Sequence, residues 1–210
     1  MGEYAREYGD RLTDALVQHL RIVGVTLLIS IVLALVLTLV IIRFKRLSAI
    51  VVRLLGGVYA IPSLALFSLL IPFTGIGEPT AIIVLVAYNQ FLLIRNFIAG
   101  LDGVDPGVIE AAVGCGMSRM RLLLTVRLPL AFPVMLAGVH LSIISTIGIA
   151  TIAAAIGAGG IGKLLFEGMR TRNTAKILWG TVLAGGLAIV ANFLLLFLEK
   201  ISGKRLHYNG

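Results

Sequence analysis

At 210 residues, with 59% hydrophobic residues and a mean hydropathy of +1.04, the chain is too apolar for an ordinary soluble domain. Its net charge of +8 comes from Lys and Arg placed singly or in small groups between apolar runs. That distribution is typical of membrane flanks and argues against nucleic-acid binding. Cys115 is the only cysteine, which excludes an internal disulfide and a cysteine metal cluster.

The N-terminal part of the chain predicts a polar helix followed by a membrane span. Residues 1–21 mix acidic and basic side chains, which favours a solvated or interfacial amphipathic helix outside the membrane. Residues 22–42 carry no charge and are long enough to cross a bilayer, at about 1.5 Å per residue against a core of roughly 30 Å. This run is too long for a signal-peptide core, so we expect it in the mature protein.

Four further apolar runs predict a single transmembrane domain over residues 22–198, followed by a cytoplasmic tail at 199–210. These spans are 54–73, 80–94, 128–156 and 177–198. Pro62 and Pro72 interrupt the second span; they either break it and free carbonyls to face a cavity, or only kink it. A charged, Gly-rich connector at 157–176 separates the last two spans.

The distribution of Lys and Arg predicts the side of the membrane on which each connector lies. The connector at 43–53, residues 95–127 and the C-terminal tail fall on one side and hold eleven of the 18 basic residues. The N-terminal segment, the turn at 74–79 and the Gly-rich connector hold the other seven. Since cytoplasmic loops carry the excess of Lys and Arg, we expect the N-terminus outside and the C-terminus inside.

Residues 95–127, called the docking segment below, carry sharp local signals between two apolar blocks. Asp105 is placed to N-cap a short helix with Pro106 at its first helical position. Apolar residues then fall on one side of that helix. The pattern predicts a surface element that docks onto another protein.

The same signals predict how this short helix ends. Gly114 and Gly116 are expected to end it, because glycine adopts left-handed conformations without a Cβ penalty. Ser118 is placed to cap a second short helix that runs to Val126, and Pro129 is expected to close the unit.

Several polar residues inside the predicted spans have two interpretations. They line a polar translocation path or they hydrogen-bond between helices, and the sequence leaves the choice open. The residues are Asn89, Gln90, Ser142, Ser145, Thr146 and Thr151. Pro62 and Ser63, at the interruption of the second span, are further candidates for the path. His140 is a functional candidate because it is ionisable within a span. A single imidazole without a nearby partner favours a neutral side chain hydrogen-bonded between helices.

The docking segment resembles the EAA loop of ABC-importer permeases. The matching residues are Glu110-Ala111-Ala112, then Gly116 four positions after the second alanine, and the ending Val126-Arg127-Leu128-Pro129. Val126 stands where isoleucine is commoner. Residues 60–66, 75–77 and 156–162 resemble the glycine betaine, carnitine and choline class of these permeases.

This resemblance implies an all-α polytopic membrane protein with a methionine-importer-like permease fold, about five transmembrane helices and a cytoplasmic coupling helix. That helix would sit in a groove of an ABC ATPase dimer. Glu110 would accept hydrogen bonds or pair with a cation, Ala111 and Ala112 would permit close approach, and Gly116 would form the elbow. The coupling role extends to Arg119, Leu128 and Pro129, where the loop re-enters the membrane.

The resemblance also implies partners and a location. A second permease subunit, identical or paralogous, and an extracellular or periplasmic substrate-binding protein complete such a transporter, surrounded by membrane lipid. The location is a bacterial inner or plasma membrane. This chain is expected to bind no cofactor, since ATP and Mg belong to the partner ATPase. The cargo would be a compatible solute such as glycine betaine, choline or carnitine, held chiefly by an aromatic cage on the binding protein.

No sequence signature of nucleotide hydrolysis is present. The glycines at 157–162 resemble a phosphate loop only superficially, because no strand precedes them, Lys163 is at the wrong spacing and no Ser or Thr follows it. The chain also lacks an HExxH zinc motif. A transport subunit that is not itself an enzyme is therefore expected.

Two other functions remain open from the sequence. One is a permease of the same fold for another cargo, such as an amino acid or a thiol-containing betaine. The other is a channel or secondary transporter that works without ATP. The second predicts intramembrane carboxylates or a repeated half-topology. Between Ile22 and Leu198 all acidic residues fall in predicted connectors, which disfavours it.

Overall fold

The computed structural model describes residues 6–207, with side chains described for residues 6–197; the ends of both predicted terminal segments lie outside. No strand occurs among the described residues. The helices are α1 (Gly9–Ile41), α2 (Lys45–Ala60), α3 (Ser63–Thr74), α4 (Glu78–Asp102), α5 (Pro106–Gly114), α6 (Arg119–Leu122), α7 (Leu128–Ala153), α8 (Ile161–Arg170) and α9 (Thr174–His207). A π-helical turn (Leu123–Arg127) joins α6 to α7, and a 3-10 turn (Ala154–Ile156) follows α7.

Four helical segments are long and apolar enough to cross a membrane, and α2 with α3 form a fifth, bent pair. The predicted five-span, all-α architecture is therefore confirmed. The helix that contains the predicted span 80–94 is longer than predicted, whereas α7 and the 3-10 turn after it cover the predicted span 128–156. Helix α4 continues past Arg95 to Asp102, because Arg95 is exposed and a charge there does not end the helix.

Helix α1 begins at Gly9, inside the segment predicted to lie outside the membrane as a separate helix. Its 33 residues span about 50 Å, more than the membrane core requires. No proline separates the polar start from the apolar part. Leu12 and Ala15 at the start are buried against Leu164 of α8, so this end is packed into the protein rather than solvated on all sides.

The second span is broken at Ile61 and Pro62, where α2 and α3 meet at 97°. Ile61 is extended, as residues before proline prefer, and Pro62 starts α3. The Tyr88 hydroxyl of α4 donates a hydrogen bond to the Ile61 carbonyl at 2.5 Å, which satisfies a carbonyl that the break frees. Pro72 lies inside α3 without ending it.

Helices α4 and α7 form the most extensive pair, and α1 packs beside them. A Cβ atom added to Gly138 of α7 would lie 2.5 Å from the Asn96 Cβ atom of α4. Glycine at this position therefore allows the two helices to approach closely.

The connectors separate to the two ends of the bundle. At one end, Arg21 of α1 pairs with Glu78 of α4 at 3.5 Å. At the same end, Gln18 accepts a hydrogen bond from the Gly160 backbone at 3.1 Å. The Gly-rich connector and the start of α1 thus lie together, and the docking segment lies at the opposite end of α4, after Asp102.

We predict that Gly138→Ala destabilises the protein relative to Gly148→Ala. An added Cβ atom meets nothing within 4 Å at Gly148, in the same helix. Both substitutions stabilise the helix by a similar amount, about 1 kcal/mol, because alanine has a higher helix propensity than glycine. The difference between their free energies of unfolding therefore reports the steric clash at Gly138, about 1–3 kcal/mol. Thermal unfolding in detergent micelles measures it. Equal unfolding midpoints would show that the α4–α7 approach is not tight.

Candidate functional site

The docking segment begins with a helix that is capped as the sequence predicts. The Asp105 Oδ1 atom accepts a hydrogen bond from the Gly107 backbone N–H at 2.7 Å, and Pro106 occupies the first turn of α5. Together they satisfy one free donor of the helix start and fix its first φ angle. Helix α5 is therefore a defined element whose start is set locally.

Gly116 forms the elbow after α5. Its φ angle is +78°, in the left-handed region that favours glycine. The Gly116 N–H donates to Val113 O at 2.9 Å, and the Met117 N–H donates to Ala112 O at 3.2 Å. These two bonds form a Schellman ending. Gly116 is confirmed as the predicted elbow, whereas Gly114 is simply the last helical residue.

The second helix differs from the prediction. The Ser118 hydroxyl accepts a hydrogen bond from the Arg121 N–H at 3.4 Å, as expected of a cap. The second short helix does not end at Val126, however. It continues through the π-helical turn into α7, so Pro129 does not end the docking segment. In the π-helical turn, the Leu128 N–H pairs with Leu123 O, five residues back. Pro129 lies in the first turn of α7, where proline is tolerated.

Arg127 ties the docking segment to the bundle. Its Nη2 atom donates to the Leu101 carbonyl at 2.8 Å and lies 3.6 Å from Asp102 Oδ1. Leu101 and Asp102 are the last residues of α4, so the guanidinium caps the Leu101 carbonyl at the helix C-terminus. The two ends of the segment are thereby joined. Sequence analysis placed Arg127 in the motif but did not predict this contact, which depends on how α4 and α7 pair.

The outward face of the segment offers one carboxylate, small side chains and apolar residues. Glu110 and Ala111 are exposed, whereas Ala112 is buried. Helix α5 packs against α6 and the π-helical turn of the same segment. Glu110 forms no ion pair with any described residue. Three exposed apolar residues and Arg119 lie on the same segment: Val108, Val113 and Met120. An exposed carboxylate among small and apolar side chains is suited to binding a protein partner. No group of three metal-ligating side chains occurs among the described residues.

A buried polar network joins α1, α4 and α7. The Asn89 Nδ2 atom donates to Ser30 Oγ at 3.3 Å and to Thr146 Oγ1 at 2.9 Å. The Thr146 hydroxyl also donates to the Ser142 carbonyl at 2.6 Å. Asn89, Ser142 and Thr146 are at most 1% exposed, so each lies inside the chain rather than on an open surface.

The other proposed path residues lie elsewhere. Pro62 is exposed at the bend between α2 and α3, and Ser63 is half-buried beside it. Ser145 is half-buried on α7. The structure thus brings Asn89, Ser142 and Thr146 together and leaves these three apart from them. A path through the first group would need the helices of this chain to open.

His140 is hydrogen-bonded between helices, as predicted. Its Nε2 atom lies 2.9 Å from Asn192 Oδ1 of α9. Two contacts that position the helices escaped the sequence analysis: Tyr88 at the α2–α3 bend and Gln18 at the Gly-rich connector. Each joins residues far apart in the chain, so no local pattern predicts it.

Residues 26–208 match the family described as binding-protein-dependent transport system inner membrane component. The choline transport system permease protein OpuBB of Bacillus subtilis is 31% identical, over 94% of this chain and 91% of its own length. The carnitine transport permease protein OpuCB of Listeria monocytogenes is 34% identical, over 93% and 90%. The osmoprotectant import permease protein OsmW of Salmonella typhimurium is also 34% identical, over 91% and 92%.

Solved structures share the fold. A chain of the MetNI methionine ABC transporter, in an inward-facing conformation, superposes with a TM-score of 0.81 at 22% identity, covering 91% of this chain and 95% of that one. A chain of an amino acid ABC transporter gives a TM-score of 0.75 at 18% identity, covering 95% of each. The predicted methionine-importer-like permease fold is confirmed.

We predict that Arg127→Gln loosens the docking segment. Losing the charged hydrogen bond to Leu101 should raise hydrogen–deuterium exchange across residues 103–126 by about tenfold. Arg121→Gln is the matched control, because it removes the same charge from an exposed side chain. Equal exchange in both variants would contradict the anchoring role.

Proposed function

Because the chain belongs to the family of inner membrane components of binding-protein-dependent transport systems, we propose that it is the permease of an ATP-driven importer for a compatible solute. The relatives named above are permeases for choline, carnitine or osmoprotectants, and each match covers at least 91% of this chain. This similarity carries the proposal. Glycine betaine, choline and carnitine share a quaternary ammonium group and are the cargoes to test.

The docking segment supports a division of labour between this chain and a separate ATPase. Helix α5 presents Glu110 and Ala111 outward, while Ala112 is buried. We propose that a cytoplasmic ATPase dimer receives α5 in a groove and that Glu110 pairs there with a hydrogen-bond donor or a cation. Ala111 then permits close approach, and Arg119 lies at the margin of the contact.

The anchoring of the segment supports its role in transmitting movement. Gly116 sets the angle between α5 and α6, and Arg127 ties the segment to the end of α4. Leu128 and Pro129 continue directly into α7. Movement of α5 with the ATPase would therefore shift α4 and α7 together, which is how nucleotide binding on one protein can bias alternating access in another.

The remaining partners follow from the same proposal. A second permease, identical or paralogous, would cover part of the exposed apolar surface of this chain. Helix α9 contributes to that surface with Val182, Val190 and Phe193. A substrate-binding protein would dock at the opposite end, formed by the start of α1 and by α8. ATP and Mg would bind the ATPase subunits and not this chain.

We predict that Glu110→Ala reduces uptake by roughly tenfold while membrane insertion is unchanged, because a charged contact with the ATPase is lost. Arg43→Ala is the control, since Arg43 is an exposed charged residue that the proposed ATPase contact does not include. Uptake and co-purification of the ATPase are the measurements. Unchanged uptake with Glu110→Ala would remove Glu110 from the coupling contact.

Orientation can be tested with the native cysteine. Cys115 is exposed beside the elbow, so we predict that a membrane-impermeant maleimide labels it in intact cells only after permeabilisation. In a Cys115→Ser background, Arg170→Cys on α8 should be labelled without permeabilisation. The opposite pattern would place the N-terminus inside.

Affinity purification from the native membrane in mild detergent, followed by mass spectrometry, tests the class of transporter. The proposal expects an ABC ATPase and a binding protein to accompany the chain, and ligand screening of the binding protein then identifies the cargo. Recovery without an ATPase, with transport in vesicles that lack ATP, would contradict it.

A further inference from the structure

A groove between α2 and α4 lies at the same end of the bundle as the docking segment. Its volume is about 520 Å³. Basic side chains from both helices line it together with an apolar wall, and the residues that matter here are Lys45, Val52, Arg53, Arg95, Ile98 and Asp102. Its lining includes none of Glu110, Ala111 and Arg119, the residues assigned above to the ATPase contact.

Two of the three basic residues, Arg53 and Arg95, lie well inside their helices rather than at the helix ends. Arg53 lies about 12 Å along α2 from its start at Lys45, and Arg95 lies about 10 Å along α4 from its end at Asp102, given the rise of 1.5 Å per residue. Both residues also directly flank the apolar runs 54–73 and 80–94, a position typical of cations at the level of the headgroups. Cations at that level are suited to anionic partners.

The described part of the chain supplies no carboxylate for these cations. Asp102, the acidic residue that lines the groove, contacts Arg127 at 3.6 Å. The Arg95 guanidinium lies 5.7 Å from the centre of the Phe91 ring, which offers no acceptor oxygen. Ser48 cannot serve as a further donor, because its hydroxyl bonds to the Ile41 carbonyl at 2.9 Å. The groove therefore has an excess of positive charge.

We propose that this groove binds the headgroup of an anionic phospholipid. Lys45, Arg53 and Arg95 would hold the phosphate, and Val52 and Ile98 would lie along an acyl chain. Guanidinium groups match the geometry of phosphate oxygens, and basic pockets between membrane helices are suited to anionic headgroups. The apolar wall favours a lipid over a free anion. Three cations would repel a quaternary ammonium, so the groove does not serve the cargo.

The test uses the purified transporter with the subunits that accompany it. Native mass spectrometry compares retention of phosphatidylglycerol with that of phosphatidylcholine of the same acyl chains. The double variant Arg53→Gln, Arg95→Gln should bind phosphatidylglycerol about 25-fold more weakly, at about fivefold per cation. Arg53→Lys with Arg95→Lys keeps both charges and should retain most of the preference.

The matched control is Arg43→Gln with Arg46→Gln. Both residues are exposed at the same end and do not line the groove, so their loss removes equal charge and should leave the lipid preference in place. An equal loss in the control would mean diffuse attraction and would overturn the site. Inorganic phosphate binding as tightly as the lipid would instead identify a free-anion site. Loss of the second permease or the ATPase with lipid retained would identify a protein interface.

Discussion

Close packing of α4 against α7 is the constraint on which the rest of this structure depends. Gly138 permits the close approach of the two helices, and Arg127 binds the Leu101 carbonyl at the end of α4. Asn89 of α4 and Thr146 of α7 are hydrogen-bonded inside this helix pair, and Asn89 also donates to Ser30 of α1. A polar contact of this kind is valuable between membrane helices, because lipid offers no alternative partner and apolar packing alone gives little preference for one arrangement.

This packing explains how a short surface helix can act on a membrane bundle. Helix α5 has only nine residues and buries little of its own surface, so its position comes from its two ends. One end follows directly from α4, and the other passes through the Gly116 elbow into a helix that continues as α7. A force on α5 is thus delivered to the helix pair at the centre of the fold. In the importer proposed above, this geometry would let a separate ATPase act on the membrane bundle.

The helix caps and the elbow of the docking segment could be predicted from the sequence, because the contacts that determine them are local. Asp105 and Ser118 cap helices within three residues of themselves, and Gly116 needs only its own backbone freedom. Sequence analysis was wrong about the end of the second short helix, because Pro129 was interpreted alone and the π-helical turn before it was not anticipated. Arg53 and Arg95 are 42 positions apart in the sequence, so their position on opposite sides of one groove could not be predicted without the tertiary structure.

The central claim is that this chain moves a compatible solute only when a separate ATPase drives it. The most direct measurement is uptake of labelled glycine betaine, choline and carnitine into vesicles that contain the reconstituted transporter. The binding protein is added on the α8 side, and ATP with Mg is supplied on the side of the docking segment. The account predicts uptake of at least one of these cargoes with hydrolysable ATP and none with a non-hydrolysable analogue. Equal uptake without ATP would contradict it.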